Sequence, residues 1–299
     1  MERFLQYFFD GISEGAVYAL IALAIVIVYR GSGHLNFAQG EMAMMSAFFA
    51  WWYDDRWMSP WVAVFAAALT AGVLAMGTEK FVIRPISHRS AFAVVVAAIG
   101  LFLLLNALPP FIWKVQVPQA FPALFPNDPD DFIRIGGAEW RIQNIGILVV
   151  MLLVAGLLYL LFQRTKFGLA MRAVASNPES SPLVGVKTGQ VLAASWGLAA
   201  VVGAFGGTLV ASRNGNVDSS MMFVIFFSAV AAATLGGFDS LFGAVFAGLV
   251  LGVFENMAAG YAPGLVGQEL QSVVSLMVIL VVLLIRPAGL FGSQRVERV

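Results

Sequence analysis

The chain has 299 residues, 60% of them hydrophobic and 11% charged, with a mean hydropathy of +0.86 and a formal net charge of +0. Soluble domains carry about a quarter charged residues, and a soluble core of this size cannot hide so much apolar surface, so the bilayer is the expected solvent for much of the chain. With balanced charge and no long basic run, nucleic acid is not an expected partner, and with no Cys there is no thiol chemistry, disulfide or thiolate metal site.

The N-terminal Met1-Glu2-Arg3-Phe4 lacks a basic n-region, and no A-x-A-like site follows the first apolar run, which is therefore expected to be a retained helix. Nine apolar segments follow in order, near residues 9–29, 40–53, 60–83, 91–113, 145–162, 188–212, 219–235, 241–260 and 270–285. They predict an all-α integral membrane protein, a polytopic helical bundle of about nine spans (eight to ten in range), forming a single transmembrane domain over residues 1–299. Segments 40–53 and 219–235 are short for a bilayer that needs about 20 residues. Each adjoins a glycine-bearing polar break: Asn36-Phe37-Ala38-Gln39-Gly40-Glu41 and Gly236-Gly237-Phe238-Asp239. Backbone of this kind survives at membrane depth only inside protein or beside water, so both regions are read as re-entrant or broken.

Positive charge sets orientation. Lys80, Arg84 and Arg89 follow the third segment, Arg164, Lys166, Arg172 and Lys187 the fifth, and Arg286, Arg295 and Arg298 the ninth. These loops share one side, expected to be cytoplasmic. The acidic Asp54, Asp55, Asp128, Asp130, Asp131 and Glu139 fall on the other. Nine spans then put the C-terminus inside and the N-terminus outside. Two loops are longer than connectors need to be. The external loop, 109–144, contains Phe132-Ile133-Arg134-Ile135-Gly136-Gly137-Ala138-Glu139-Trp140-Arg141-Ile142, whose alternation around Gly-Gly predicts a hairpin.

The internal loop, 163–187, is amphipathic and basic. Leu169, Arg172 and Ala173 share a helical face, and Asn177-Pro178-Glu179 reads as a second helix start, with Asn as N-cap and Pro at the first position. The predicted order is helix, turn, and a short helix ending near Gly185. Such a loop suits either docking onto a partner, through Phe167, Leu169, Met171, Arg172, Asn177 and Pro178, or anchoring to anionic lipid. Polar residues at membrane depth are costly and are functional candidates: Glu14, Asn36, Gln39, Glu41, Asn106, Glu255 and Asn256. Asn36, Gln39, Gly40 and Glu41 form a candidate translocation pathway or gate, with helix capping by Asn36 and Glu41 as the alternative. Glu255 is expected at a solvated helix end, and Asn106 in an interhelical hydrogen bond. The pairs Gly11/Gly15, Gly203/Gly207 and Gly248/Gly252 predict close helix packing, and Trp51, Trp52, Trp57, Trp61 and Trp113 an interfacial belt.

Four stretches carry a resemblance to a known family: the loop at 165–179; Asp10-Gly11-Ile12 with the run Gly15 to Leu23; Leu35-Asn36-Phe37-Ala38-Gln39-Gly40-Glu41; and Leu235-Gly236-Gly237 with Gly243-Ala244-Val245 and the closing Arg286-Pro287-Ala288-Gly289-Leu290-Phe291-Gly292. In order and over nearly the whole chain, they resemble the permease subunits of branched-chain amino acid ABC importers. Gln39 stands where His is common in that family, and Glu14 is a second departure. The resemblance implies a bacterial or archaeal cytoplasmic (inner) membrane protein. It implies a second related permease, two cytoplasmic ABC ATPase subunits and an extracytoplasmic solute-binding protein as partners, beside the lipid bilayer. It makes 163–187 the cytoplasmic coupling loop and branched-chain amino acids the default cargo, with urea, short amides and aromatic acids carried by similar permeases. The chain has no G-x-x-x-x-G-K-[ST] loop, so it is expected to be no enzyme and to hold no cofactor, with ATP and magnesium on the ATPase subunits. The rival is a secondary transporter or channel working without an ATPase. Such proteins tend to need ionisable groups inside their spans, and most segments here have none at their centres.

Orientation is directly testable, because the native chain has no Cys. A single Asp130→Cys is expected to react with an impermeant maleimide from outside the cell. Labelling only from the cytoplasm would invert the topology.

Overall fold

The computed structural model describes residues 1–56, 58–87, 90–177, 180–261 and 271–292. Trp57, Arg89, Pro178, Glu179, Arg295 and Arg298 lie outside the described residues. All nine apolar segments are helical: α1 (Glu2–Ser32), α2 (Gln39–Asp54), α3 (Pro60–Thr78), α5 (Ala91–Trp113), α6 (Ile142–Arg164), α8 (Thr188–Asn214), α9 (Phe223–Gly236), α10 (Leu241–Tyr261) and α11 (Gln271–Ile285). A π-helical turn, Glu79–Ile83, joins α3 to the short α4 (Arg84–Ser87), and α7 (Lys166–Ser176) lies in the internal loop. Among the described residues, six helices are long and apolar enough to cross a membrane. The shortness expected of the second and seventh segments persists in α2, with 16 residues, and α9, with 14.

α1 is the central post. Every residue from Gly15 to Val28 is buried, as expected of a helix that is apolar all round. It packs on α10 through the anticipated glycines. A Cβ on Gly11 would lie 2.6 Å from Val253 Cα, and one on Gly15 2.6 Å from the Gly248 carbonyl oxygen. One on Gly252 would collide with Gly15 backbone. On α8, Gly207 abuts the Ala43 carbonyl of α2. In hydrocarbon, association rests on such close dispersion contact, because apolar side chains gain nothing by leaving lipid. Outer helices carry exposed Leu69 and Val73 on α3, Leu103 and Phe111 on α5, and Leu153 and Leu157 on α6, surface that suits acyl chains.

The loops obey the charge reading. At one end, Arg84 bonds the Gly189 carbonyl oxygen (2.6 Å), Arg30 lies over Phe162, and Tyr29 packs on Phe238. That end gathers the basic loops. At the other end, strands β2 (Phe132–Ile135) and β3 (Ala138–Arg141) form the expected hairpin around Gly136 and Gly137. Both glycines have positive φ (60° and 90°), as a two-residue turn of the I′ kind demands. Gln6 of α1 bonds Glu139 there, so the N-terminus shares the acidic end. A second pairing was not anticipated: β1 (Gln119–Ala120) with β4 (Asn216–Val217), which ties the external loop to the end of α8. Trp61 also holds that loop, donating to the Leu124 carbonyl (3.0 Å).

The glycine contacts predict a graded response. Gly252→Val forces apart α1 and α10 and is expected to cost about 1–3 kcal/mol. Gly156→Ala, where a Cβ meets nothing within 4 Å, is expected to be neutral or stabilising. Thermal midpoints in detergent check both, and equal midpoints would show that the α1–α10 contact is not a principal one.

Candidate functional site

α1 stops at Gly33, whose N–H bonds the Tyr29 carbonyl (2.7 Å). The chain then runs without helix until Gln39 opens α2. Asn36, 2% exposed, organises this break. Its Oδ1 accepts from the Ala38 N–H (3.0 Å) and its Nδ2 donates to Gln39 Oε1 (3.2 Å). Gln39 in turn donates to the Ala199 carbonyl of α8 (3.2 Å), in space left by Gly203. Gly40 lets α9 approach, since a Cβ there would lie 2.9 Å from Phe226 Cβ. Glu41 is buried, and its Oε2 receives Asn106 Nδ2 of α5 (3.3 Å). The same amide donates to the Ser219 carbonyl just before α9 (2.9 Å). Neither Asn36 nor Glu41 caps a flanking helix: Asn36 closes a side-chain turn ahead of α2, and Glu41 makes a contact between helices. Asn106 makes the interhelical bond expected of it.

Two cavities flank this cluster. An inner one of ≈ 260 Å³ is lined by His34, Asn36, Glu79, Arg84, Thr188 and Trp196 among others. An outer one of ≈ 400 Å³ is lined by Phe48, Pro110, Gln116, Asp218, Ser219 and Ser220 among others. Asn36 lines the inner cavity and Ser219 the outer. The bonds Asn36–Gln39 and Glu41–Asn106–Ser219 occupy the ground between them. α2 and α9 are short because both leave room for this polar plug.

One expectation fails. Glu255 is not at a solvated end; it is 1% exposed. Tyr18 Oη of α1 donates to its Oε2 (2.8 Å), Ser275 of α11 to its Oε1, and Ser228 of α9 lies 3.4 Å from that same oxygen. Ser228 and Ser275 also bond each other (2.8 Å). Position along the chain placed Glu255 near a helix end, but the overhang of α1 and α11 covers it. Nearby, Glu14 pairs with Arg213 of α8 (2.6 Å), which accounts for the unusual acid in the first helix.

The closing Arg286-Pro287-Ala288-Gly289-Leu290-Phe291-Gly292 has a structural task. The Leu290 N–H bonds the Leu235 carbonyl (2.7 Å) and the Phe291 N–H the Gly236 carbonyl (3.1 Å). These are orphan carbonyls at the end of α9, so one motif caps the other. Gly237 and Gly289, both with positive φ, lie back to back, with no room for a Cβ on either.

In the internal loop, the Thr165 side chain accepts from the Gly168 N–H (3.2 Å) and starts α7. Asn177 Oδ1 accepts from Ser180, and a 3-10 turn, Ser181–Val184, ends at Gly185 as expected, but it starts later than predicted: Ser180 is its N-cap, and Asn177 ends α7. The described five of the six residues expected to dock do not share a face. Leu169 is exposed, as are Leu183 and Val184. Phe167 is half-buried against the core, and Asn177 is exposed at the turn. Met171 is 1% exposed, next to Ser195 of α8, so it anchors the loop to the bundle and offers nothing to a partner. Arg172 donates to the Phe162 carbonyl at the end of α6. Pro178 lies outside the described residues.

The described residues thus form a helical membrane bundle with a polar cluster between two cavities. The family model for the branched-chain amino acid transport system, permease component, matches residues 7–283, and the chain belongs to that family. It is the permease subunit of an ABC importer, a multi-pass membrane protein. It is 28% identical to the high-affinity branched-chain amino acid transport permease LivH of Salmonella typhimurium, over 99% of this chain and 98% of that one. It is 27% identical to a probable LivH of Methanocaldococcus jannaschii, over 94% and 92%. A 139-residue stretch is 32% identical to the galactose/methyl galactoside import permease MglC of Escherichia coli, covering 46% of this chain and 39% of that one. In fold, the chain is similar to a chain of PsaBC from Streptococcus pneumoniae in complex with Fab, with TM-score 0.51, 12% identity and 95% and 92% coverage.

The burial of Glu255 sets a test. Glu255→Ala removes an acceptor shared by Tyr18, Ser228 and Ser275 and is expected to cost about 1–3 kcal/mol, read as a lower thermal midpoint in detergent. Glu255→Gln keeps acceptor capacity and is expected to lose less. A wild-type midpoint for Glu255→Ala would show that the hydroxyls find other partners.

Proposed function

We propose that this chain carries branched-chain amino acids inward across a bacterial or archaeal cytoplasmic membrane by alternating access. The observation behind this reading is the polar plug at Asn36, Gln39, Glu41, Asn106 and Ser219, set between an outer and an inner cavity. Rearranging a few weak side-chain bonds opens one cavity to the other side, without breaking the glycine contacts that hold α1 to α10. Substrate comes from an extracytoplasmic binding protein to a pore shared with a second, related permease. Energy comes from two cytoplasmic ATPase subunits, which carry the ATP and magnesium. The docking face for an ATPase is the exposed apolar set Leu169, Leu183 and Val184, projecting from a loop that Met171 and Arg172 fasten to the bundle. The full-length similarity to LivH supports the cargo.

The test is ATP-driven leucine uptake by the complete reconstituted complex. Glu41→Gln is expected to reduce uptake at least about tenfold, since an interaction with a charged group is worth roughly 1.5–3 kcal/mol. Leu183→Glu is expected to reduce co-purification of the ATPase while the bundle keeps its thermal midpoint. Arg172→Glu is less informative, because it also removes the bond to Phe162. Wild-type uptake by Glu41→Gln would remove the plug from the transport path.

A further inference from the structure

The inner cavity holds the two charges that the plug does not use. Glu79 and Arg84 are five residues apart, and the intervening turn is π-helical. An α-helix would turn residues five apart well away from each other, whereas i→i+5 winding brings them onto one face. Both line the cavity wall, paired through Nε–Oε1 (3.0 Å) and Nη2–Oε2. The Glu79 side chain is 3% exposed and that of Arg84 31%. π-Turns inside helices are rare and concentrate at functional sites.

The pair is not saturated. Arg84 spends Nε and Nη2 on Glu79 and Gly189, and among the described residues its Nη1 makes no hydrogen bond. A carboxylate offers about four lone-pair sites, and Glu79 uses one on each oxygen here. A guanidinium edge and a carboxylate edge thus adjoin the same small space. The rest of the wall is mixed: Ile83, Val94, Ala98, Val174, Leu192 and Trp196 give apolar surface, and Ser32, His34, Asn36, Ser87 and Thr188 give polar groups. At ≈ 260 Å³ the cavity falls just below the roughly 300–1,000 Å³ of sites for drug-sized ligands, which suits a smaller molecule. Opposite charges side by side, together with the apolar part of the wall, match one ligand chemistry.

We propose that the inner cavity is a release-side binding site for a zwitterionic α-amino acid with an aliphatic side chain, its carboxylate on Arg84 and its ammonium on Glu79. The proposal rests on the amino-acid import reading above and adds a site within this chain that recognises the cargo. Asn36 forms the boundary between this site and the plug, so substrate leaving the plug meets the charged pair before the cytoplasm.

The experiment is equilibrium binding to the purified complex without its binding protein, with uptake by the complete complex measured in parallel. The probes are leucine, isocaproate (leucine without its amine) and isoamylamine (leucine without its carboxyl group). The wild-type complex is expected to bind leucine about tenfold or more tightly than either analogue. Glu79→Gln should abolish the preference over isocaproate and keep the preference over isoamylamine. Arg84→Gln should do the reverse. A pair that only joins helices cannot produce that crossed pattern. Unchanged preferences, or equal loss of all three ligands at a wild-type thermal midpoint, overturn the proposal. Ala98→Leu narrows the cavity without touching the pair, so it serves if the charge variants do not assemble; leucine binding should fall, and unchanged binding overturns the site. Leucine uptake without leucine binding sinks this inference alone, whereas a complex that takes up another solute and not leucine sinks the cargo reading.

Discussion

Hydrocarbon offers no partner to a backbone N–H or C=O, and each one left open there costs several kcal/mol. A helix that spans the bilayer meets this constraint by itself, apart from its two ends. A helix that stops short must have its ends completed by something else. α2 and α9 are the two such helices around the plug, and much of the remaining architecture completes them. Asn36 supplies the turn ahead of α2. Asn106, from α5, satisfies the Ser219 carbonyl ahead of α9. The C-terminal end of α9 is closed by Leu290 and Phe291, more than 50 residues further along. The cost of a break at membrane depth is thereby spread over four elements.

Two kinds of contact divide the labour. Between α1 and α10, and between α8 and α2, backbone meets backbone at glycine, where a fraction of an ångström decides whether the contact exists. Such interfaces are stiff and close-packed and change by whole steps or not at all. Around the plug, the contacts are single side-chain hydrogen bonds of 2.9–3.3 Å, each worth about 1 kcal/mol net and replaceable by water from a cavity. A transporter needs both kinds. The stiff post keeps the bundle intact while the replaceable bonds let the path open on one side at a time. Glu255 belongs with the stiff part, since it joins α1, α9, α10 and α11 through hydroxyls in a dry setting.

Hydrophobic runs, the loop charges and the Gly-Gly hairpin are local patterns, and they located nearly every element to within a few residues. The glycine pairs foretold close packing, though not which helices meet. What stayed hidden depends on neighbours in space. Distance from a helix end marks depth poorly where other helices overhang, which is why Glu255 reads as solvated and is buried. Met171 and Leu169 look alike as loop hydrophobes, yet one points to Ser195 and the other outward; only the packing of α7 on α8 separates them. The π turn leaves no mark in composition, so Glu79 and Arg84 read as mere neighbours of a basic loop. Asn36 and Glu41 were visible as candidates because an amide and an acid beside a short apolar run violate the membrane's usual composition. Their partners, Ala199, Asn106 and Ser219, carry no such signal on their own.

The internal loop acquires its mechanical meaning from these same attachments. α7 is fastened to α6 by Arg172 and to α8 by Met171, so a force on Leu169 or Leu183 is carried into both helices and not absorbed by a slack connector. α8 begins at Thr188, and the next residue, Gly189, gives its carbonyl to Arg84. Arg84 is thus an added donor to a carbonyl in the first turn of α8, and it is at the same time bound to Glu79 in the inner cavity wall. A shift of the loop along the membrane normal therefore reaches the cavity's charged pair through one hydrogen bond, before it reaches the plug along α8. Gln39, bonded to Ala199 on that helix, lies two further turns and more along the same path. The contacts thus run in order from the loop to the charged pair and on to Gln39 along α8.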